Sequence, residues 1–232
     1  MISIIIPTWN EESTIKETIE RLREYDELNY VKEIIVTDGG STDNTFDVAK
    51  KAGAIVLKSP SKGRGAQMNF GATSATTNVL YFLHADSIPP KKFSSDISNA
   101  ITEGFTSGCY RLSFDIDHWF LNANCWFTRF DVNTLRFGDQ SLFVTKNIFE
   151  KAGGFREDIL MMEDQEIIRR IRKYGKFKVM NGAVITSARK YLDNGVYRMQ
   201  GIFFLIWLMY YLGFPQEKLL QLHRRLIRGH KL

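Results

Sequence analysis

The groups able to do chemistry in this 232-residue chain fall in short polar clusters, most of them just after an apolar run. His84-Ala85-Asp86 follows the run Asn78 to Leu83. A carboxylate at a strand end can anchor a divalent cation, and Mg2+ or Mn2+ needs few protein ligands when phosphate oxygens and water complete its shell. Taken alone, an Asp just before Ser87-Ile88-Pro89-Pro90 reads more often as a turn former. Glu163-Asp164 opens a helical pattern whose buried face is Ile167, Ile168 and Ile171, with Glu166 and Arg170 spaced to pair. A carboxylate there is first of all a cap that compensates the helix dipole. The functional alternative is a general base, ionised and within reach of a hydroxyl. Arg64, between Gly63 and Gly65 and after Lys62, offers a forked donor suited to a diphosphate, or is an exposed basic loop. In Asp38-Gly39-Gly40-Ser41-Thr42-Asp43, Asp38 suits a base or ribose and the glycines allow close approach. The same residues are routine turn formers, and Ser41 or Asp43 suits a helix cap. Asp139-Gln140 reads as a polar turn before a strand over Ser141 to Val144.

The elements that must hold these clusters alternate. Ile2 to Ile6 is a β-branched run ending at Pro7, as a buried parallel strand should be. Ile15, Ile19 and Leu22 then repeat at helical spacing behind Ser13, the expected N-cap. Glu33 to Thr37 reads as a strand, Asn44 to Ala52 as a helix closing at Gly53, and Ala54 to Leu57 as a strand. Ala66 to Ser74 reads as a helix and Asn78 to Leu83 as a strand. Such alternation predicts an α/β fold with a doubly wound, mostly parallel sheet flanked by helices. Its ligand belongs beyond the carboxyl ends of the strands, where three of the polar loops fall. Farther on, a strand over Cys109 to Phe114, an aromatic-rich stretch from Trp119 to Phe130, and the strand over Ser141 to Val144 complete the sheet and cover the acceptor side.

Composition narrows the class. With 44% hydrophobic and 25% charged residues, the chain can bury a sizeable core. Its net charge of +5 is modest, and no nucleic-acid partner is expected. Cys109 and Cys125 lack metal or redox spacing and the N-terminus lacks a basic leader, so a cytoplasmic setting is expected, on the inner face of the membrane if there is peripheral contact. No Walker A and no GxGxxG follows the first strand, which counts against P-loop ATPases and dinucleotide dehydrogenases.

Together, Pro7-Thr8-Trp9-Asn10-Glu11, the Asp38 to Asp43 loop, His84-Ala85-Asp86 and Glu163-Asp164 with Arg169-Arg170 behind it resemble family-2 glycosyltransferases of the inverting GT-A type. Gly63 to Asn69, Phe137-Gly138-Asp139-Gln140 and Met162-Glu163-Asp164 resemble the radical-SAM/selenodomain-associated bacterial subgroup. The resemblance implies an inverting hexosyltransferase-like enzyme with a nucleotide-diphosphate sugar, commonly a UDP sugar, on the first two loops. Pro7, Thr8, Asn10, Glu11, Asp38, Gly39, Arg64, His84, Ala85 and Asp86 would bind the donor. Asp38 would contact the base. Asp86 would hold the divalent metal, Mg2+ or Mn2+, with His84 at the first acidic position of the family's DxD. Asp164 would be the base, with Glu163 beside it, and Asp139, Gln140 and Arg169 would face an acceptor still to be identified. No Trp completes a QxxRW signature after Gln165, so single addition is expected rather than polymer synthesis. The rival readings are a nucleotidyltransferase, which should carry a glycine-rich basic loop where Thr8-Trp9-Asn10-Glu11 stands, and a non-catalytic sugar-nucleotide-binding protein.

A GT-A domain over residues 1–200 is expected, with 201–232 as an apolar and basic helical extension. Ile202 to Phe214 is almost wholly apolar but short for a membrane span. Burial or a homodimer contact is the commoner outcome for such a run. Its rival is an interfacial helix with Trp207, Tyr210 and Tyr211 at headgroup depth beside Lys218, Arg224, Arg225, Arg228 and Lys231.

Overall fold

The computed structural model describes residues 1–136 and 138–227. Phe137 of the Phe137 to Gln140 motif, and Arg228 and Lys231 of the basic tail, lie outside the described residues. The chain runs β1 (Ile2–Thr8), α1 (Ile15–Glu24), β2 (Val31–Asp38), α2 (Thr45–Lys51), β3 (Ile55–Lys58), α3 (Arg64–Ser74), β4 (Val79–Phe82), β5 (Ser87–Ile88) and α4 (Phe93–Thr102). It continues through β6 (Ser107–Phe114), α5 (Trp119–Phe127), two 3₁₀ turns, Asn133–Leu135 and Gly138–Gln140, β7 (Leu142–Thr145) and α6 (Lys146–Lys151). It ends with α7 (Glu163–Ile171), β8 (Phe177–Thr186), α8 (Arg189–Asn194), α9 (Val196–Tyr211) and α10 (Gln216–Leu226).

Among the described residues the strands form one eight-stranded sheet in the order β3-β2-β1-β4-β7-β6-β8-β5. The first half is the expected parallel α/β sheet, with β1 parallel to both β2 and β4 and β3 parallel to β2. The second half is mixed. β7 runs antiparallel to β4 and β6, β8 is parallel to β6, and β5 is antiparallel to β8.

β1 is buried along its whole length because both sheet faces are covered, which is why it reads as an unbroken apolar run. Its side chains alternate between two cores. Ile4 and Ile6 pack with Ile15, Ile19 and Leu22 of α1 and Phe93 and Ile97 of α4. Ile5 points the other way, against Met68 of α3 and among Phe82, Phe149, Ile167 and Ile171. Full burial of each such side chain stabilises by roughly 1.5–3 kcal/mol. Gly71 lets α3 lie close on β1, since a Cβ there would come 2.5 Å from Ile5 Cγ2. A third cluster, with Leu121, Met161, Tyr191, Met199, Ile202, Ile206 and Leu219, seats α9 and α10 on the sheet body. Residue 201 falls inside α9, so the C-terminal extension shares a helix with that body.

Three helix starts differ from expectation. α3 begins at Arg64 rather than Ala66. Thr14, not Ser13, occupies the N-cap of α1 and makes no side-chain cap. The backbone N–H groups of Thr14 and Ile15 both donate to Glu11 O, at 3.1 and 3.0 Å, so a turn begun at Glu11 sets the start. α2 begins at Thr45 rather than Asn44, which occupies the N-cap without a side-chain cap, while Asp43 Oδ1 just before it accepts Thr45 N–H at 3.0 Å.

Candidate functional site

Sheet register brings the polar loops together. Thr8 pairs with Asp38 at the ends of β1 and β2, and Ile5 pairs with Phe82 near the end of β4. At the far side Ser87 pairs with Thr186, and Ser187 N donates to Asp86 O at 3.3 Å. The loop after β4 therefore lies between the β1 loop and the segment after β8. These ends open on a cavity of about 970 Å³, the upper range for ligand sites. Pro7, Thr8, Glu11, Gly39, Arg64, His84, Ala85, Asp86, Asp139, Glu163 and Asp164 line it.

Four of the expected site residues do not line it. Asp38 is buried behind its own loop, where Oδ2 accepts the N–H groups of Gly40 (3.1 Å) and Ser41 (3.0 Å) and Oδ1 accepts the Ser41 hydroxyl. Asn10 ties the first loop to the second, with Oδ1 accepting Thr42 N–H at 2.8 Å. Both residues shape the binding loops from behind. Gln140 is buried and donates to Tyr110 O at 2.9 Å. Arg169 is exposed, because five residues beyond Asp164 turns a side chain about 140° around the helix.

Charge is dense inside the cavity. Arg64 Nη1 donates to Glu163 Oε1 at 3.1 Å. Burial opposes the Arg64 charge, but Glu163 first, then Asp164, Asp139 and Asp86, hold its pKa above the ordinary value. His84 Nδ1 and Asp139 Oδ1 lie 2.7 Å apart. Burial works against both ions, yet the contact raises the His84 pKa and lowers that of Asp139, each group favouring the charged form of the other. Asp139 faces the cavity itself, which is why its side chain keeps 43% of its surface although it lies deep in the protein.

Asp86 is held above the usual carboxylate range by burial, then by Asp139 and Glu11, with His84 and Lys190 pulling the other way. Asp164 is pushed up to about 7, first by burial and then by the neighbouring Glu163. It sits beside Gly138, where a Cβ would run into Asp164 Oδ2.

Lys190 has no counterpart in the sequence expectations. It lines the cavity from the start of α8, and burial, then Arg64, lower its pKa against the pull of Asp139, Asp86 and Glu11. Its signal was the polar stretch Ser187 to Lys190 after β8, a strand whose irregular burial gives no clean alternation. Gln67, also unforeseen, braces the first loop by donating to Thr8 O at 2.9 Å. The other side of the cavity is apolar, with Leu135, Leu160, Met161, Phe203 and Trp207 among its walls.

This arrangement can hold a charged, phosphate-bearing ligand at the strand ends and present a second molecule to Asp164. A family model described as Glycosyl transferase family 2 matches residues 3–160. The glucosyl-3-phosphoglycerate synthase of Mycobacterium tuberculosis is 33% identical over 99 residues, 38% of this chain and 30% of that protein. A mannosyltransferase from Pyrobaculum calidifontis, solved with GDP-Man and Mn2+, superposes with a TM-score of 0.72 at 16% identity, covering 97% of this chain and 69% of that one. The Mycobacterium tuberculosis synthase, solved with Mn2+, UDP and glucosyl-3-phosphoglycerate, gives 0.62 at 19% identity, covering 93% and 81%. Similarity at that identity shows a shared fold. The chain spans under half the length of the curated relatives it matches.

Proposed function

This chain belongs to glycosyl transferase family 2, and we propose that it moves a sugar from a nucleotide-diphosphate donor to an acceptor hydroxyl with inversion at the anomeric carbon. The observation that carries the reading is the meeting, in one cavity, of Asp86 from the loop between β4 and β5, Arg64 from the start of α3 and Asp164 from the start of α7. The nucleotide lies against Pro7, Thr8, Glu11 and Gly39, on loops held from behind by Asn10 and Asp38. Arg64 turns from Glu163 toward the diphosphate and stabilises the charge that develops as it leaves. Asp164 takes the proton of the attacking hydroxyl, with Glu163 beside it.

Relatives of this fold bind Mn2+ or Mg2+ with their nucleotides. The residues here fit such an ion: Asp86 is a cavity-lining carboxylate whose negative form is disfavoured by burial and by Asp139 and Glu11, a penalty that a bound cation relieves. Asp86 would hold it, with phosphate oxygens and water completing the shell. A cation held by Asp86 would offset charge on the diphosphate. His84 stays committed to Asp139 and positions that carboxylate.

The test is a thermal-shift screen of UDP, GDP and dTDP sugars with Mg2+ or Mn2+. A UDP sugar with metal is expected to give the largest rise. A hundredfold excess over Kd stabilises by about 2.7 kcal/mol, or roughly 5–11 °C for a chain of this size. No rise with any nucleotide sugar sinks the proposal. Gly138→Ala supplies a second check, because the added methyl displaces the Asp164 carboxylate. Turnover should fall by about 10²-fold, the cost of misplacing a catalytic group by roughly an ångström, while donor binding is kept. Unaltered turnover would remove Asp164 from the reacting position.

A further inference from the structure

Two segments far apart in sequence put large apolar side chains on one surface. α5 exposes Trp119 (69%), Trp126 and Phe127, while α9 and the residue after it expose Tyr197, Phe204 and Leu212 (66%). The two segments meet at the Tyr197 end. The Tyr197 ring lies 6.5 Å from that of Trp119 and 5.0 Å from that of Phe120. Farther along, Trp207 Nε1 donates to Thr134 O at 3.0 Å, so α9 runs beside the segment that begins with α5. Exposed apolar side chains contiguous over two helices mark a contact surface rather than ordinary scatter.

The chemistry of its edge indicates what covers it. The Arg129 guanidinium stacks over Trp126 at 4.7 Å, and the Lys218 ammonium lies over the Phe214 ring at 5.8 Å. α10 adds exposed Arg224 and Arg225 against the single acid Glu217. Aromatic side chains whose polar tips are matched by neighbouring Lys and Arg heads suit the boundary between acyl chains and anionic headgroups. α9 has 16 residues, about 24 Å at 1.5 Å per residue, against a hydrocarbon core of about 30 Å. No described helix is long and apolar enough to cross a membrane, so α9 suits a place in the plane of the interface.

We propose that this face of α5 and α9 docks on an anionic lipid bilayer. The cavity's own exposed lining residues Leu135, Leu160 and Phe204 bring its apolar side to the surface near α9. Docking therefore turns the acceptor side toward lipid headgroups, a consequence that rests on the glycosyl-transfer reading, whereas the docking itself does not.

The full chain is sedimented at physiological salt with vesicles of phosphatidylcholine alone and of phosphatidylcholine mixed with phosphatidylglycerol. It should pellet with the mixed vesicles and stay in solution with the neutral ones. Trp119→Ser combined with Leu212→Ser should weaken partitioning by about tenfold or more, since both changes remove apolar area that the bilayer would bury. Lys218→Gln combined with Arg225→Gln should reduce the preference for anionic lipid. Donor thermal shifts should be the same in both double variants, which shows that they fold. A chain that ignores both vesicle types, or partitioning untouched by the Trp119 and Leu212 changes, overturns the proposal. So does a dimer in light scattering that these changes dissolve in a chain that never pellets, which would assign the face to a second copy. Absence of any donor shift, with vesicle binding intact, would instead count against glycosyl transfer alone.

Discussion

Asp164→Asn should lower sugar transfer by about 10²–10⁴-fold, the usual contribution of a positioned general base, and leave the donor thermal shift in place. Asn keeps the shape of Asp and can still accept a hydrogen bond through Oδ1, but it cannot take a proton from a hydroxyl. The pH profile of the unsubstituted protein gives an independent reading. Burial, then Glu163, push Asp164 up to about 7, and a base works only when ionised. kcat/KM should therefore fall as pH drops through 7, approaching tenfold per unit on the acid side. Stability should move the opposite way. A carboxyl whose folded pKa lies above its unfolded value near 4 gives stability that is full below pH 4 and lost as pH rises through 7. Asn, neutral throughout, avoids that loss, so the variant should melt higher than the parent at pH 8 and no higher at pH 4. A parent profile that is flat between pH 6 and 8, or a variant that turns over normally, would dismiss Asp164 as the base.

The second large effect is expected at Asp86. Asp86→Ala should reduce donor affinity in the presence of Mn2+ to the level that the parent protein shows in EDTA. The fold should survive, because the substitution removes a buried carboxylate that Asp139 and Glu11 already oppose. Calorimetric titration of parent and variant with the best donor, each with Mn2+ and with EDTA, closes the comparison. Equal parent affinities with and without Mn2+ would end the metal assignment. Metal dependence retained in the variant would move the ion to another carboxylate, Asp139 being the nearest alternative by charge.

What could be read before the structure was known follows the range of each interaction. β1, β2 and β4 announce themselves because strands buried on both faces are short apolar runs, and α7 does so through Ile167, Ile168 and Ile171. The cavity's first wall follows from those strands, since a parallel sheet puts its loops at one edge. The rest depends on distant pairings that leave no local trace. His84 meets Asp139 across 55 residues and Arg64 meets Glu163 across 99. Lys190 reaches the site only because β8 lies between β6 and β5, and the burial of β8 follows no simple period. Asp38 sits in the expected motif but accepts the N–H groups of its own turn, as a short polar side chain in a tight turn does, and Asn10 is taken up by Thr42 N–H of the second loop, 32 residues away. The run from Ile202 is apolar on every side, so it held no information about which side would meet the core. Ile202 and Ile206 do, and Phe204 and Leu205 do not.

The position of β8 also governs how the chain comes to be made. Among the described residues it is the last strand in sequence, yet it is an inner strand of the sheet, paired on both sides. During synthesis β6 therefore keeps a bare edge of unpaired backbone groups until residue 186 has emerged, and two-residue β5 has nothing to pair with. A nascent or truncated chain ending before β8 carries an open template for association with other strands. The protein's exposure to chaperones and to aggregation should thus be concentrated in that interval of its biogenesis, and it should close when the strand that brings Lys190 to the cavity slots home.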